Sequence, residues 1–367
     1  MFWLVLALKK MDTISTDSKQ IIIKYRNNNY DITEFIHKHP GGINTLKGIT
    51  ANTDITKRFL NAPPHSDAAM YLMNEYKINM ENKMKNGYKN GTKNCIKENN
   101  MSINDIPNNI SNGHVHNNNH NNDIILDESM EHLVDWSKPM LRQIVNIAEC
   151  YDEWVHKPVD RPLRLFGPWY LEMLTKTPWW LVPSFWVPSI IYILYSEIST
   201  KRNTSLNNST VLFYCITGVF LWTLIEYVLH RWVFHIKVSP GNKKLCIFHF
   251  LLHGLHHKVP FDPYRLVFPP IPAVILASIL YLPVIAIFPF PRIVLSGGLF
   301  GYLCYDMMHY YLHYGNPKFF HMYQMKRYHY QHHFAHQDIG FGITSPIWDI
   351  VFRTRIYLRR LKFMIKW

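Results

Sequence analysis

Two segments with the same pattern, HGLHH at residues 253–257 and HYQHH at 329–333, decide how the second half of this 367-residue chain is interpreted. On a helix, positions i, i+3 and i+4 lie on one side, so each segment predicts three imidazoles on a common face. Two histidine pairs accompany them, His230 with His235 and His309 with His313. Residues five apart lie about 140° from each other around an ideal helix, so we expect the helix to end or distort between His230 and His235.

Histidine at this density indicates metal binding. Ten neutral imidazoles suit two metal ions with about five ligands each. A structural zinc ion takes four ligands and keeps no open position, whereas five imidazoles on an octahedral ion leave one position for oxygen or water, which favours a catalytic dimetal centre. Ordinary core histidines would explain any one group but not four. The predicted ligands are His230, His235, His253, His256, His257, His309, His313, His329, His332 and His333.

Five further polar residues accompany this pattern. Glu226 lies four residues before His230, and Asp306 lies three before His309. A ligand imidazole usually gives its second N–H to a carboxylate or a carbonyl, and an ionisable group inside an apolar span is costly unless it has a role, so both carboxylates are candidate supports for ligands. The alternative is a helix-end residue that reaches water. His249, His321 and His336 fall outside the pattern and are expected to be structural or supporting residues.

Four uncharged or nearly uncharged stretches predict membrane-spanning helices, at 179–196, 211–229, 271–291 and 293–312. Lysine and arginine concentrate on one side of this topology, after the second span and in the C-terminal tail, whereas the loop 197–210 carries only Lys201 and Arg202. The positive-inside bias therefore predicts that both termini and the histidine groups face the cytosol.

Charge and cysteine content exclude other classes of protein. Lysine and arginine exceed aspartate and glutamate by 13, which suits nucleic acid or an anionic membrane surface. The uncharged stretches favour the membrane, so we expect no nucleic-acid partner. The five cysteines form no C-x-x-C pair, which argues against a disulfide scaffold and against a cysteine zinc site.

The chain divides into four predicted parts. Residues 1–80 indicate a small α+β domain, and residues 2–8 within it an uncleaved apolar leader too short to span a bilayer. Residues 81–122 are rich in asparagine and predict a disordered linker. Residues 123–178 predict amphipathic interfacial helices, with an ordinary core-facing stripe as the alternative or in addition, and residues 179–367 predict the four-span domain.

These motifs resemble those of the fatty acid 2-hydroxylases, in which a cytochrome b5-like domain is fused to a membrane hydroxylase of the sterol desaturase/fatty acid hydroxylase superfamily. In the first half the resemblance lies in YDITEFIHKHPGG at 30–42, where the histidine of HPGG is a haem axial ligand, here His39. The second axial ligand matches His65 in PPHS. Bis-histidine ligation leaves no open position on the iron, which implies electron transfer. In the second half the matching stretches include HGLHHKVP at 253–260, YDMMHYYLH at 305–313 and HHFAHQDIGFG at 332–342.

The resemblance implies a multi-domain fold, with a small α+β haem domain and an all-α integral membrane domain of four transmembrane helices under a cytosolic histidine-rich helical cap. It implies a dioxygen-dependent monooxygenase of the endoplasmic reticulum membrane that hydroxylates C2 of the acyl chain of dihydroceramide, ceramide or a free fatty acid. The implied cofactors are haem b and two metal ions, iron for catalysis although zinc can bind, with electrons from an NAD(P)H-dependent cytochrome b5 reductase. The alternatives are a hydroxylase of a sterol or long-chain base, and a membrane-anchored cytochrome b5-type electron carrier.

Overall fold

The computed structural model describes residues 20–39, 46, 48–61, 65–78, 130–200, 206–317 and 319–358. The predicted leader at 2–8 and the predicted linker at 81–122 lie outside these residues. The described residues up to Lys77 and those from Met130 onward form one compact unit.

The N-terminal part is a small α+β fold. Strand β1 (Ile22–Tyr25) pairs antiparallel with β2 (Asn28–Asp31) and parallel with β3 (Thr53–Asp54), which gives the order β2-β1-β3. Helices α1 (Phe35–Lys38), α2 (Thr56–Asn61) and α3 (Asp67–Asn74) accompany the sheet. The β-branched run at 21–23 forms β1 because alternate residues enter a small core, in which Ile23, Ile32 and Ile36 are buried.

Residues 130–178 form short helices: α4 (Met140–Ile144), α5 (Tyr151–Val155) and α6 (Trp169–Thr175). The first two bury their apolar side chains, including Ile144 and Trp154, in one core. Helix α6 instead leaves most of its apolar side chains exposed, with Trp169 at 71% and Met173 at 65%. The core-facing stripe therefore lies on α4 and α5, and the exposed apolar surface suited to a membrane interface lies on α6.

Among the described residues, three helical segments are long and apolar enough to cross a membrane: Leu181–Thr200, Asn208–Phe234 and Pro270–Ile287. They correspond to helices α7 (Leu181–Thr200), α8 (Asn208–Val228) with its π-helical continuation Leu229–Phe234, and, further along the chain, a helix over Pro270–Ile287. Their outer surface is apolar and exposed, as a lipid-facing surface requires.

Short helices follow α8 and precede the third apolar segment. They are α9 (Lys243–His249), a second π-helical segment (Phe250–Gly254) and α10 (Leu255–Lys258). Helix α11 (Pro270–Ile287) and helix α12 (Pro291–Tyr314) come next, and α13 (Phe320–Phe334) and α14 (Ile347–Val351) complete the described chain.

The fourth predicted span forms α12, but it is not among the segments apolar enough to cross a membrane. Its 24 residues span about 36 Å, which is enough for a bilayer. Most of its side chains are buried against neighbouring helices, among them Asp306, His309 and His313. A helix surrounded by protein needs no apolar outer face. Of the four predicted spans, three therefore have the composition of a membrane span, and α12 does not.

Helices α8 and α12 approach each other at glycines. A Cβ atom on Gly218 would lie 2.1 Å from the carbonyl oxygen of Val294, and one on Gly297 would lie 2.1 Å from that of Cys215. Only the absence of side chains allows the two backbones to come so close, as is usual between membrane helices. This contact brings together α8, whose π-helical continuation carries His230, and α12, which carries His309 in its C-terminal half.

Candidate metal centre

Nine of the ten predicted ligands form two tight, mostly buried groups. The five-histidine cluster consists of His256, His309, His313, His329 and His333, and the four-histidine cluster consists of His230, His235, His253 and His332. Within each cluster one ring nitrogen of every histidine lies within 4.8 Å of those of all the others. Side chains from helices far apart in sequence thus converge in two places.

The distances between nitrogens fit metal coordination. In the five-histidine cluster the Nε2 atom of His256 lies 2.9 Å from that of His333 and 3.0 Å from that of His309. In the four-histidine cluster the Nε2 atoms of His332 and His235 are 2.9 Å apart. Two nitrogens bound at about 2.1 Å and at right angles on one metal ion lie about 3.0 Å apart. Each cluster therefore has the dimensions of a ligand set.

His257, the tenth predicted ligand, lies between the clusters. Its ring stacks on that of His333 with centroids 4.2 Å apart, and the rings of His253 and His235 approach its ring to 4.7 and 4.8 Å. Both of its ring nitrogens are buried and have no hydrogen-bond partner among the described residues. A buried polar atom without a partner is costly, and a metal ion would supply one. His257 is thus placed to be a fifth ligand beside the four-histidine cluster.

The predicted distortion between His230 and His235 is confirmed. Residues Leu229–Phe234 form a π-helix, and the backbone N–H of His235 donates to the carbonyl of His230 at 3.0 Å. A hydrogen bond between residues i and i+5 widens the turn, so residues five apart come close to alignment. The second π-helical segment, Phe250–Gly254, carries His253.

Each H-x-x-H-H segment contributes to both clusters, although one common face was predicted for it. His329 and His333 belong to the five-histidine cluster, whereas His332 belongs to the four-histidine cluster. In the other segment, His256 belongs to the five-histidine cluster and His253 to the four-histidine cluster. The reason is geometric: residues i+3 and i+4 lie about 100° apart around a helix, so one helix directs imidazoles into two neighbouring clusters.

Backbone carbonyls lie within hydrogen-bond distance of the Nδ1 atoms of three predicted ligands. The Nδ1 atom of His230 lies 2.6 Å from the carbonyl oxygen of Phe341, and that of His332 lies 2.9 Å from the carbonyl oxygen of Ile339. In the five-histidine cluster, Nδ1 of His309 lies 3.0 Å from the carbonyl oxygen of Leu266. An N–H donated from Nδ1 leaves Nε2 free to bind metal.

Glu226 and Asp306 lie one step further from the ligands than predicted. Glu226 accepts the backbone N–H groups of Ile343 and Thr344, both at 2.9 Å. Asp306 accepts the backbone N–H of Phe268 at 3.1 Å. Each carboxylate therefore holds a loop whose carbonyl orients an imidazole, instead of accepting the imidazole N–H itself. Sequence spacing missed this arrangement because a backbone carbonyl leaves no trace in the residue pattern.

Burial favours the neutral form of the clustered imidazoles. It lowers the pKa of His253, His256 and His333 well below the ordinary value, and neighbouring histidines add to the effect. A neutral imidazole is the form that binds a metal ion.

The three histidines outside the predicted pattern also lie outside both clusters. His249 is buried and its Nδ1 lies 2.6 Å from the hydroxyl of Tyr151. His321 and His336 are exposed. Their placement agrees with structural or peripheral roles.

An apolar cavity of about 380 Å³ reaches both clusters. Its wall includes His253 of the four-histidine cluster and His256 and His309 of the five-histidine cluster. It also follows α11 from Pro272 to Val284, about 18 Å along the helix. The remaining wall is mainly aliphatic and aromatic, with Leu221, Ile225, Val267, Leu299 and Trp222 among its residues.

The predicted haem ligands face each other in the N-terminal part. The ring centroids of His39 and His65 are 6.4 Å apart. Two imidazoles on opposite sides of one iron place their centroids about 6 Å apart, given metal–nitrogen bonds of about 2 Å. Burial, followed by the neighbouring His65 and Lys326, lowers the pKa of His39 to about 3, which keeps it in the ligating form.

The N-terminal part contacts the helices that carry the metal ligands. The hydroxyl of Tyr330 on α13 lies 3.0 Å from the carbonyl oxygen of Lys38 and 3.2 Å from that of His313. Lys38 pairs with Asp160 at 2.6 Å. The hydroxyl group of one tyrosine thus bridges the residue before His39 and a predicted metal ligand, a contact that the sequence did not indicate.

Glu75 and Arg161 link the N-terminal part to the segment at residues 130–178. The Nε and Nη2 atoms of Arg161 donate to the two carboxylate oxygens of Glu75 at 2.6 and 2.7 Å. A bidentate pair of this kind fixes orientation as well as distance.

Comparisons with known proteins agree on both halves of the chain. The family model described as fatty acid hydroxylase matches residues 215–354. The model described as cytochrome b5-like heme/steroid binding domain matches residues 8–91. The first match contains all ten predicted metal ligands, and the second contains His39 and His65.

Similar proteins extend over most of the chain. Human fatty acid 2-hydroxylase is 38% identical over 349 residues, which cover 89% of this chain and 88% of that protein. The ceramide very long chain fatty acid hydroxylase of Saccharomyces cerevisiae is 35% identical over 355 residues, 90% of this chain and 89% of that protein. A solved structure of full-length scs7p, in which only the hydroxylase domain is visible, is 39% identical, covers 62% of this chain and 86% of that one, and superposes with a TM-score of 0.56.

Proposed function

This chain belongs to the fatty acid 2-hydroxylase family, and we propose that it is a membrane monooxygenase that hydroxylates C2 of a fatty acyl chain. The proposed substrate is the acyl chain of dihydroceramide or ceramide, or a free fatty acid, with dioxygen as the oxidant. Relatives named for fatty acid, ceramide and dihydroceramide fatty acyl hydroxylation support this substrate class.

The observation that carries the proposal is the apolar cavity whose wall includes histidines of both clusters. An acyl chain packed along α11 between Pro272 and Val284 would be held away from water by aliphatic side chains. His253, His256 and His309 in the same wall would place the reacting carbon beside both metal ions. A cavity of this composition suits a lipid tail better than a polar metabolite.

The five-histidine cluster would hold one metal ion, and the four-histidine cluster with His257 would hold the other. Nitrogen spacings near 3.0 Å support both assignments. Iron bound there would supply the redox chemistry that activation of dioxygen requires. Zinc does not change its oxidation state, although it binds well to sites built only from imidazole.

Electrons would reach the clusters through the haem domain of the same chain. His39 and His65 would ligate haem b, and an NAD(P)H-dependent cytochrome b5 reductase would be the external donor. The contacts of Tyr330 with the carbonyls of Lys38 and His313 support a short route between the two centres. Because these contacts lie within one compact unit, electron delivery would not depend on a chance encounter.

We also propose that α12 crosses the endoplasmic reticulum membrane beside α8, with both termini in the cytosol. The length of α12 and its glycine-mediated contact with α8 support the crossing. Protease added to sealed microsomes should then remove the N-terminal domain and spare the 197–210 loop. Protection of an N-terminal tag would contradict this topology.

Two other functions make different predictions. A sterol or long-chain base hydroxylase would use the same metal ions on another lipid. A membrane-anchored electron carrier would need the haem site but neither histidine cluster, and the two clusters beside an apolar cavity argue against it.

The test is to express the full chain in cells lacking their own 2-hydroxylase and to quantify hydroxylated lipids by mass spectrometry. We expect 2-hydroxylated ceramides or free 2-hydroxy acids with the wild type and more than about 100-fold less with His256→Ala at matched expression. His39→Ala should also abolish product and the bis-histidine haem spectrum, while both metal ions remain bound. Hydroxylated sterols or bases alone would instead identify the rival oxygenase, and haem reduction without any hydroxylated lipid would identify a carrier.

A further inference from the structure

The loop at residues 339–344, between α13 and α14, is held by two buried carboxylates. Its backbone N–H groups at Phe341 and Gly342 donate to the two oxygens of Asp349, at 2.9 and 2.8 Å. The next two N–H groups, at Ile343 and Thr344, donate to Glu226, both at 2.9 Å. Four consecutive amides therefore point at carboxylates, which fixes the direction of the intervening peptide planes.

The same loop orients two predicted metal ligands. The carbonyl of Phe341 receives the Nδ1 side of His230, and the carbonyl of Ile339 receives that of His332. Both histidines belong to the four-histidine cluster. In the five-histidine cluster, by contrast, His309 uses the carbonyl of Leu266, which lies in a different loop.

Asp349 is built into this arrangement. Its side chain is fully buried, and one of its oxygens also accepts the hydroxyl of Thr354 at 2.8 Å. A Cβ atom on Gly342 would lie 2.1 Å from the carbonyl oxygen of Ser345 and 2.9 Å from Oδ2 of Asp349. The close fit of this glycine allows the carboxylate to approach the loop backbone.

We propose that Asp349 is a positioning residue for the metal ion of the four-histidine cluster, and that it acts through the 339–344 loop on His230 and His332. The proposal rests on the proposed metal assignment above. Removing its charge would loosen the loop and let two imidazoles rotate away from the metal ion. The five-histidine cluster would keep its geometry, because the carbonyl that orients His309 is that of Leu266, which lies outside this loop.

The experiment compares metal content in full-length protein purified in detergent. Wild type is expected to bind two metal ions per chain. Asp349→Asn keeps the shape of the side chain, and we expect it to bind one ion as tightly as wild type and the second about tenfold more weakly, at the lower end of the usual effect of an outer partner. Raising the free metal concentration should restore the second ion in Asp349→Asn but not in His332→Ala, which lacks a ligand.

Glu197→Gln is the matched control, because Glu197 is a buried carboxylate that pairs with Arg292 and does not contact this loop. It should bind both ions like wild type. Gly342→Ala is the second variant, since it displaces the loop without altering the carboxylate. It should reproduce the selective loss and accelerate amide hydrogen exchange of residues 341–344 in the metal-free protein.

Equal weakening of both ions in Asp349→Asn, or full retention of both, would overturn the positioning role. Retention of both ions in Gly342→Ala despite accelerated exchange would also overturn it. These results differ from failure of the proposed metal assignment, in which the wild type itself would not bind two ions, and from failure of the proposed activity, in which the wild type would make no 2-hydroxylated lipid.

Discussion

The two histidine clusters lie side by side, but their imidazoles are held in different ways. In the four-histidine cluster, His230 and His332 both give Nδ1 to carbonyls of one loop, which two carboxylates fix. In the five-histidine cluster, His309 has a comparable partner in Leu266. The Nδ1 atoms of His256, His329 and His333 have no hydrogen-bond partner among the residues that the structure describes.

The difference indicates two routes to a defined metal geometry. The four-histidine cluster has fewer members, and carbonyls of one loop orient two of them in the absence of a metal ion. The five-histidine cluster has more members and relies on packing, and a metal ion bound there would complete their arrangement. The first route makes the affinity for metal depend on the groups that hold one shared loop, whereas the second makes it depend mainly on the number of imidazoles, with Asp306 supporting His309 alone.

The largest effect is expected from removing one ligand of either cluster. His256→Ala and His332→Ala should each lower 2-hydroxylated product by more than about 100-fold, beyond the usual effect of an outer partner. His256→Ala should also remove the metal ion of the five-histidine cluster, and His332→Ala should remove that of the four-histidine cluster. The measurements are product per unit of expressed protein and metal per chain. If either variant makes product at the wild-type rate, that histidine is not a ligand and the dimetal assignment fails.

An intermediate effect is expected from Asp306→Ala. Asp306 holds the N–H of Phe268, two residues from the Leu266 carbonyl that orients His309. Losing a supporting group of this kind costs about 10–100-fold in metal affinity or activity. Titration with metal should find the weakened ion in the five-histidine cluster, the opposite of the result expected for Asp349→Asn. Loss from the four-histidine cluster would contradict the division between the two loops.

The smallest effect is expected from His249→Ala, which serves as a buried histidine outside both clusters. Its loss leaves the hydroxyl of Tyr151 without its partner, which should lower the free energy of unfolding by about 1–3 kcal/mol. Both metal ions should remain, and product formation should stay close to that of wild type. Thermal unfolding and metal analysis check this, and loss of either ion would place His249 within the metal centre.

Much of the molecule could be predicted because its signals are local. The family is recognisable from short motifs, and the comparisons confirm it. The distortion after His230 follows from a spacing of five residues and is confirmed by the π-helix. The fourth span was harder, because α12 is buried by protein and its sequence carries polar ligands on a helix of spanning length.

By itself, the sequence determined that the candidate metal ligands are imidazoles, that they fall in four groups and that a cytochrome b5-like domain is present, since these depend on residue identity and on spacing along the chain. Only the tertiary structure decided which imidazoles share a cluster, because residues i+3 and i+4 diverge by about 100° and their partners come from other helices. It also decided which loop Asp349 and Glu226 hold. Their partners are backbone amides, which nearly every residue possesses and no sequence pattern distinguishes.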